Sequence, residues 1–445
     1  PNKQPKADRI MPEFKFVLLA LVLVVSILLG TAFRLVRATP YITYNDISDF
    51  TNVEGEITDR FDQTIYKEGK VNKYEIFGNL IGYKDLLHNT LVYRHSDLLI
   101  SNKVNPFIGH RSLETKSRIM KTTLLSEESQ EVIVKLFGDK KGCCFAYNYE
   151  TGEVYTALSL PQYNPEYKDS EYYNRCFDSV YIPGSTMKIV TTALAIDQGK
   201  DMSKITYTCK GSINLTGEKP INCTGVHGTI GTSTAISTSC NCFFAQLIWD
   251  LNLEKALESL KKMGFEVNVE SPEKGEVDGL SKKTSTTNMT NTASFKNIWG
   301  LIGQGNTEVN PIDMAKIAAA VVSKGEAVEP YIISSVINPN KNNKVIYKPE
   351  TEKTTLMSSK TAEKTAEFWK KGVDRSYYTA QGMNKRIDYA KTGTAQRADK
   401  TEDKLLIGVI ESSKTAFYIV IEDCKPGGLV PMTIANKLAD LLPNN

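Results

Sequence analysis

Residues 183–196 read PGSTMKIVTTALAI. A Pro-Gly turn runs straight into an apolar-periodic segment that stops near Gly199, so a helix is expected with Ser185 at its N-terminus. Ser185 and Lys188 are three residues apart and share a face of that helix. A serine hydroxyl is a poor nucleophile at neutral pH and needs a neighbouring base. A buried lysine meets that need, because desolvation disfavours the ammonium form. The helix N-terminus also presents backbone N–H groups to a developing oxyanion. Taken alone, an N-capping serine with a lysine one turn on is the plainer account.

Two further triplets change that balance. Ser239-Cys240-Asn241 stands 54 residues after Ser185, just before the helical run CFFAQLIWDL at 242–251. Lys391-Thr392-Gly393-Thr394-Ala395 begins 152 residues after Ser239. Glycine inside a strand pattern marks a close backbone approach, read here as that of a ligand. The lysine and hydroxyls beside it suit a carboxylate. Singly, each triplet is also an ordinary helix cap or surface turn. Together, S-x-x-K, S-x-N and K-T-G in this order resemble the penicillin-interacting serine enzymes. IGQG (302–305), VNPIDMAKIAAAVVSKGEAVEP (309–330) and HGT (227–229) extend the resemblance, as do IGY (81–83) and GEITDR (55–60) before it. The chain resembles a class B, monofunctional penicillin-binding protein with a short stalk. It departs from that pattern after Arg60, where Phe61-Asp62-Gln63 replaces the usual Asn-Gly.

The resemblance implies an α/β (α+β) fold of the penicillin-binding and serine β-lactamase type. In it an antiparallel sheet of about five strands is flanked by helices, preceded by a membrane helix and a small β-rich stalk. It implies a serine-type D,D-transpeptidase that cross-links peptidoglycan stem peptides ending in D-Ala-D-Ala and is acylated by β-lactams. Ser185 would be the nucleophile and Lys188 its base. Ser239 would relay a proton, and Asn241 would hold Lys188 and the substrate amide. Lys391, Thr392, Gly393 and Thr394 would bind the terminal carboxylate. No cofactor is expected for catalysis, and a membrane glycosyltransferase is the expected partner. A D,D-carboxypeptidase, a β-lactamase of the same fold and a non-catalytic β-lactam sensor or scaffold are the alternatives. No glutamate stands out as a rival base.

Composition agrees. The 445 residues carry 54 Lys and Arg against 51 Asp and Glu, a net charge of +3, which gives no support to a nucleic-acid binder. A hydrophobic fraction of 41% and a charged fraction of 24% exclude wholesale disorder. Residues 16–33, FVLLALVLVVSILLGTAF, hold no charge and would span about 27 Å as a helix, close to a bilayer core. Lys3, Lys6, Arg9 and Lys15 precede the run, and Arg34 and Arg37 follow it. This bias favours an uncleaved signal anchor with its N-terminus inside, and with it the resemblance implies a bacterial single-pass membrane protein whose catalytic part is extracytoplasmic. The expected units are a tail and anchor at 1–38, a stalk at 39–126 and a transpeptidase domain at 127–445. Helices are expected at 124–137, 185–199, 311–323 and 431–442, and strands on both sides of residues 148–152, at 405–410 and at 416–422. The polar stretch 281–294 is expected to be an exposed loop.

Five of the chain's soft ligands crowd around the second triplet, as C-x13-C-x3-H-x12-C-x-C: Cys209, Cys223, His227, Cys240 and Cys242. Thiolates and an imidazole in that arrangement suit tetrahedral zinc. Cys240 sits between Ser239 and Asn241, so the expected set is Cys209, Cys223, His227 and Cys242, in a structural site. A Cys209–Cys223 disulfide and unliganded thiols remain open readings. Cys143 and Cys144 lie in a strand and are expected to be packing residues.

Overall fold

The computed structural model describes residues 10–38, 55–67, 69–82, 89–99, 116–164, 172–373, 382–397, 400–425 and 431–443. The charges at Lys3, Lys6 and Arg9 and the aromatic at Tyr83 lie outside them. Helix α1 (Ile10–Ala38) contains a window, Phe14–Ala32, of mean hydropathy 2.5 with no part buried against protein. Its 19 residues are long and apolar enough to cross a membrane. Thr31 within it donates its hydroxyl back to the Ile27 carbonyl at 2.9 Å, so that polar group is satisfied inside the helix.

The strands that organise the remainder are, in chain order, β1 (Gly55–Thr58), β2 (Thr64–Lys67), β3 (Lys70–Val71), β4 (Arg118–Thr122), β5 (Gly142–Asn148), β6 (Val154–Leu160), β7 (Ile333–Asn338), β8 (Lys344–Tyr347), β9 (Tyr389–Gln396), β10 (Glu402–Ile410) and β11 (Thr415–Cys424). One sheet runs β9-β10-β11-β5-β6 and is antiparallel throughout. Strands β10 and β11 are buried on both faces, which explains why they read as continuous apolar runs rather than alternating ones. Helix α6 (Pro311–Val322) packs on this sheet, as do α2 (Glu127–Phe137) and α7 (Pro431–Leu441), which also pack on each other. Cys143 and Cys144 are fully buried in β5, as packing residues should be.

The second sheet runs β8-β7-β4-β1-β2-β3. Its β4 pairs with β1 in parallel and with β7 antiparallel, Met120 standing opposite both Ile57 and Val336. Two strands from 333–347 therefore complete a sheet whose other strands come from residues 55–122. The β1–β2 turn forms without the usual glycine. Asp59 Oδ1 accepts from the N–H groups of Phe61 at 2.8 Å and Gln63 at 2.9 Å, and Asp62 takes the left-handed conformation at φ 65°.

Local signals set most helix ends. Ser126 caps α2 by accepting from Ser129 N at 3.3 Å, so Leu124 and Leu125 precede the helix rather than opening it. Asn310 caps α6 by accepting from Ile312 N at 3.0 Å, with Pro311 at the first position. The stretch 281–294 departs from expectation. Lys282, Ser285, Thr287 and Met289 are buried in it, and only 290–293 are consistently exposed. Buried Asp313 of α6 is the cause. It accepts from Lys282 Nζ at 2.6 Å and from Ser285 N and Oγ at 3.0 and 2.9 Å, drawing a polar segment inward.

Candidate active site

Ser185 lies in the 3-10 turn Gly184–Thr186, which leads directly into α3 (Met187–Asp197). Gly184 holds φ 55°, and a Cβ there would stand 2.7 Å from both Thr394 N and Thr394 O. The turn is thus pressed onto edge strand β9, half-exposing Ser185 beside the backbone of Thr394. Gly393 serves the same contact. A Cβ on it would lie 2.7 Å from Pro183 O, so its close approach is to the chain's own Ser185 turn and not to a ligand.

Lys188 comes up from α3, one turn on, and is fully buried. Its Nζ lies 2.8 Å from Ser185 Oγ, 2.7 Å from Ser239 O, 3.1 Å from Ser239 Oγ and 2.7 Å from Asn241 Oδ1. Burial pulls its pKa down from 10.5 to about 7, against the smaller upward pull of Cys223 and Cys240. A neutral amine has two N–H bonds and one lone pair. The Ser239 carbonyl and Asn241 Oδ1 only accept, so they take the two N–H bonds and leave the lone pair for the Ser185 hydroxyl. That is the geometry of a general base on a serine. Among the described residues no carboxylate hydrogen-bonds Ser185, Lys188 or Ser239.

Ser239 holds φ 53°, a strained value for a residue with a side chain, just before α4 (Asn241–Trp249). The conformation turns both its carbonyl and its hydroxyl toward Lys188. Lys391 Nζ reaches the same hydroxyl from β9 at 3.1 Å and the Thr392 carbonyl at 2.8 Å. Burial, and then the charge of Lys188, hold Lys391 well below the ordinary lysine range. Ser239 Oγ therefore bridges two buried amines. Thr392 and Thr394 stand half-exposed on β9, alternating with buried Lys391 and Gly393. All eight residues expected at the catalytic and carboxylate sites are brought to one cleft.

The cysteines meet beside it, with one change of membership. The ligand atoms of Cys209, Cys223, His227 and Cys240 all lie within 4.8 Å of one another. His227 Nδ1 is 3.5 Å from the sulphurs of Cys209 and Cys223, and Cys223 Sγ is 3.7 Å from Cys240 Sγ. Zinc bonds of about 2.3 Å to sulphur and about 2.0 Å to nitrogen give tetrahedron edges of about 3.8 Å (S···S) and 3.5 Å (S···N), so the donor set fits that ion. Cys240, not Cys242, completes the set. Cys240 is the N-cap of α4 and its Sγ, which accepts from Phe243 N at 3.4 Å, faces Cys223. Cys242 lies one step into the helix, buried next to the set, where burial and then the sulphurs of Cys209 and Cys223 push its thiol up to about 12. The hydrogen bond with Cys240, and then N–H groups that include those of Cys242 and Asn241 at the helix start, pull the Cys223 thiol down, while the same contact pushes that of Cys240 up. No disulfide joins any of the eight cysteines. The cluster is joined to the surroundings of Lys188 through Asn241 Nδ2, which donates to the carbonyl of Asn222 at 2.8 Å.

Sequence reading left one residue of this cleft without a role. Gln304, from the IGQG segment, donates its Nε2 to the Thr394 carbonyl at 2.9 Å. The glycines on both sides of it, at φ 103° and 76°, were the available signal.

Residues 142–440 match the family described as penicillin binding protein transpeptidase domain. Among curated relatives, Stage V sporulation protein D of Bacillus subtilis is 26% identical over 323 residues, covering 67% of this chain and 48% of the relative. Peptidoglycan D,D-transpeptidase PbpA of Mycolicibacterium smegmatis is 24% identical over 321 residues, covering 64% of this chain and 62% of the relative. The chain thus spans about half to three fifths of the length of such relatives. The crystal structure of PBPA from Mycobacterium tuberculosis superimposes with a TM-score of 0.71 at 21% identity, over 87% of this chain and 99% of that one. Its penicillin G acyl-enzyme complex superimposes with a TM-score of 0.72 at 20% identity, over the same shares. These structures share the fold.

Proposed function

The chain belongs to the penicillin-binding protein transpeptidase family, and from that premise we propose that it is a class B peptidoglycan D,D-transpeptidase, acylated at Ser185 by stem peptides and by β-lactams. The observation that carries this reading is the single amine of Lys188, within hydrogen-bond reach of Ser185, Ser239 and Asn241 at once. Ser185 Oγ attacks the carbonyl of the penultimate D-alanine, and its proton passes to neutral Lys188. The N–H groups of Ser185 and Thr394, held together by the Gly184 contact, receive the oxyanion. The bond to the terminal D-alanine breaks, and the departing amine takes its proton from Lys188 through Ser239. An amine of a second stem peptide then attacks the acyl-enzyme, Lys188 accepts the proton, and Ser185 is regenerated as the cross-link forms. Lys391 and the hydroxyls of Thr392 and Thr394 bind the terminal carboxylate. The arriving anion favours the ammonium form of Lys391 that burial otherwise disfavours.

Cys209, Cys223, His227 and Cys240 would hold a zinc ion of structural role. Four protein ligands leave no position for substrate, and the ion would tie the 209–227 segment to the start of α4. Helix α1 would anchor the chain with its N-terminus inside and the remainder outside the cytoplasm. The stalk at 39–126, completed by β7 and β8, would then stand between membrane and the transpeptidase domain at 127–445, near a membrane glycosyltransferase. The test is incubation with lipid II and a partner polymerase, followed by analysis of the digested product. Cross-linked muropeptides with released D-alanine support the proposal. Released D-alanine with only trimmed, uncross-linked peptides would show a carboxypeptidase instead.

A further inference from the structure

Strand β9 is the edge of its sheet, and its free edge faces the cleft. Exposed edges carry unpaired backbone groups that accept an added strand. Here the carbonyls that matter are already taken by side chains. Thr392 and Thr394 are two residues apart, so their carbonyls point off the same edge. Lys391 Nζ donates to the first at 2.8 Å and Gln304 Nε2 to the second at 2.9 Å.

On the proposed reading of the site, a donor peptide lies extended along this edge. Its terminal carboxylate sits at Lys391 and Thr392 and its reacting carbonyl at Ser185 and Thr394 N. Its chain then runs antiparallel to β9, and the N–H of the residue that bears the reacting carbonyl falls opposite the Thr394 carbonyl. That is the group Gln304 holds. We propose that Gln304 is a placeholder for the substrate amide: its carboxamide satisfies the Thr394 carbonyl while the cleft is empty and yields it when the donor's N–H arrives.

The local structure suits a side chain that moves on a backbone that does not. Gln304 N bonds to the Trp299 carbonyl at 2.9 Å, at the end of α5 (Phe295–Ile302). Gly303 is so close to the nucleophile turn that a Cβ on it would lie 1.8 Å from Gly184 O. The Gln304 side chain itself is half-exposed. The Thr394 carbonyl is thus never left bare beside a buried lysine pair, and the edge offers one register to an incoming strand. The ligand class this selects is an acylated amine on the carbon next to the reacting carbonyl. Penicillins with an acylamino side chain have it, and unsubstituted penicillanic acid lacks it.

The experiment compares second-order acylation constants for benzylpenicillin and penicillanic acid in the full chain, in Gln304→Ala and in Gln304→Asn, whose side chain is one methylene too short. Acylation of the unaltered chain at Ser185, read by peptide mass spectrometry, tests the functional reading separately. The ratio benzylpenicillin to penicillanic acid is expected to rise about three- to tenfold in both variants, the worth of one hydrogen bond no longer displaced. An unchanged or lowered ratio would overturn the inference, because a purely structural glutamine affects both ligands alike. Loss of all acylation in both variants would overturn it too. In the benzylpenicillin acyl-enzyme crystal structure, Gln304 Nε2 is expected beyond 3.5 Å from the Thr394 carbonyl. Its retention at 2.9 Å would contradict the exchange.

Discussion

Replacing Lys188 with methionine separates the chemistry of this lysine from its effect on stability. Methionine fills a similar volume without a charge or a proton-accepting nitrogen. The base is lost, and general-base catalysis is worth about 10²- to 10⁴-fold, so acylation by a fluorescent penicillin should fall by that factor. Stability should behave differently. Lys188 titrates at about 7 when folded and at 10.5 ordinarily, because burial penalises the ammonium. Below pH 7 both states are protonated and the penalty is fully present. Between these values the unfolded chain binds the extra proton, so stability rises with pH, and above 10.5 the penalty is gone. From pH 7 to 9 this linkage is worth about 2 kcal/mol, and it is absent in the variant. The variant gains by losing a buried amine, but leaves the Ser239 carbonyl and Asn241 Oδ1 without a donor, at about 1–3 kcal/mol each. Denaturant titration of both proteins at pH 7 and 9 should show the wild type gaining about 2 kcal/mol relative to Lys188→Met. Wild-type acylation should climb through the same region as the neutral amine forms. A variant acylated within tenfold of wild type, or two proteins with parallel stability–pH curves, would refute the assignment.

The other expectations concern the groups around this lysine. Ser239→Ala removes the hydroxyl shared by Lys188 and Lys391, and acylation should fall about 10- to 1,000-fold with the melting temperature little changed; an unaffected rate would remove Ser239 from the proton path. Cys240→Ser should lower bound zinc from about one per chain to below 0.2, whereas Cys242→Ser should retain it. Elemental analysis with thiol counts decides this, and the reverse pattern would restore Cys242 as the ligand. Asp313→Ala strands buried Lys282 and should cost about 3–5 kcal/mol in denaturant titration; a loss under 1 kcal/mol would show that the pair does not hold the 281–289 segment in place.

The order of the three triplets was legible because each is a local pattern tied to a turn, a cap or a strand. So were the helix start at Pro311 and the hairpin of β5 and β6, whereas the helix read from 124 starts only after its cap at Ser126. What escaped depended on distant partners. The pairing of β4 with β7 joins residues more than 200 positions apart, and nothing in either strand names the other. Residues 281–289 read as loop because Ser, Thr and Asn favour turns, yet Asp313, on a different element, buries them. The expected ligand set differs by one cysteine from the cluster that the fold assembles. Adjacent spacing shows that Cys240 and Cys242 straddle a helix start, but only the capping geometry tells which sulphur turns outward to Cys223. Gly393 was read as the close approach of a ligand, but the group pressed against it is the Pro183 carbonyl, which no local pattern names. Gln304 carries no chemical signal of its own. Its role follows from where two positive-φ glycines place it.

On the proposed mechanism Lys188, Ser239 and Asn241 converge to make Ser185 the one residue that takes the acyl group. The most direct measurement is mass spectrometry of tryptic peptides after brief exposure to benzylpenicillin, with Ser185→Ala in parallel. A single adduct is expected on the peptide containing Ser185, and none in the variant. An adduct on another residue, or labelling that persists in Ser185→Ala, would contradict the proposed mechanism.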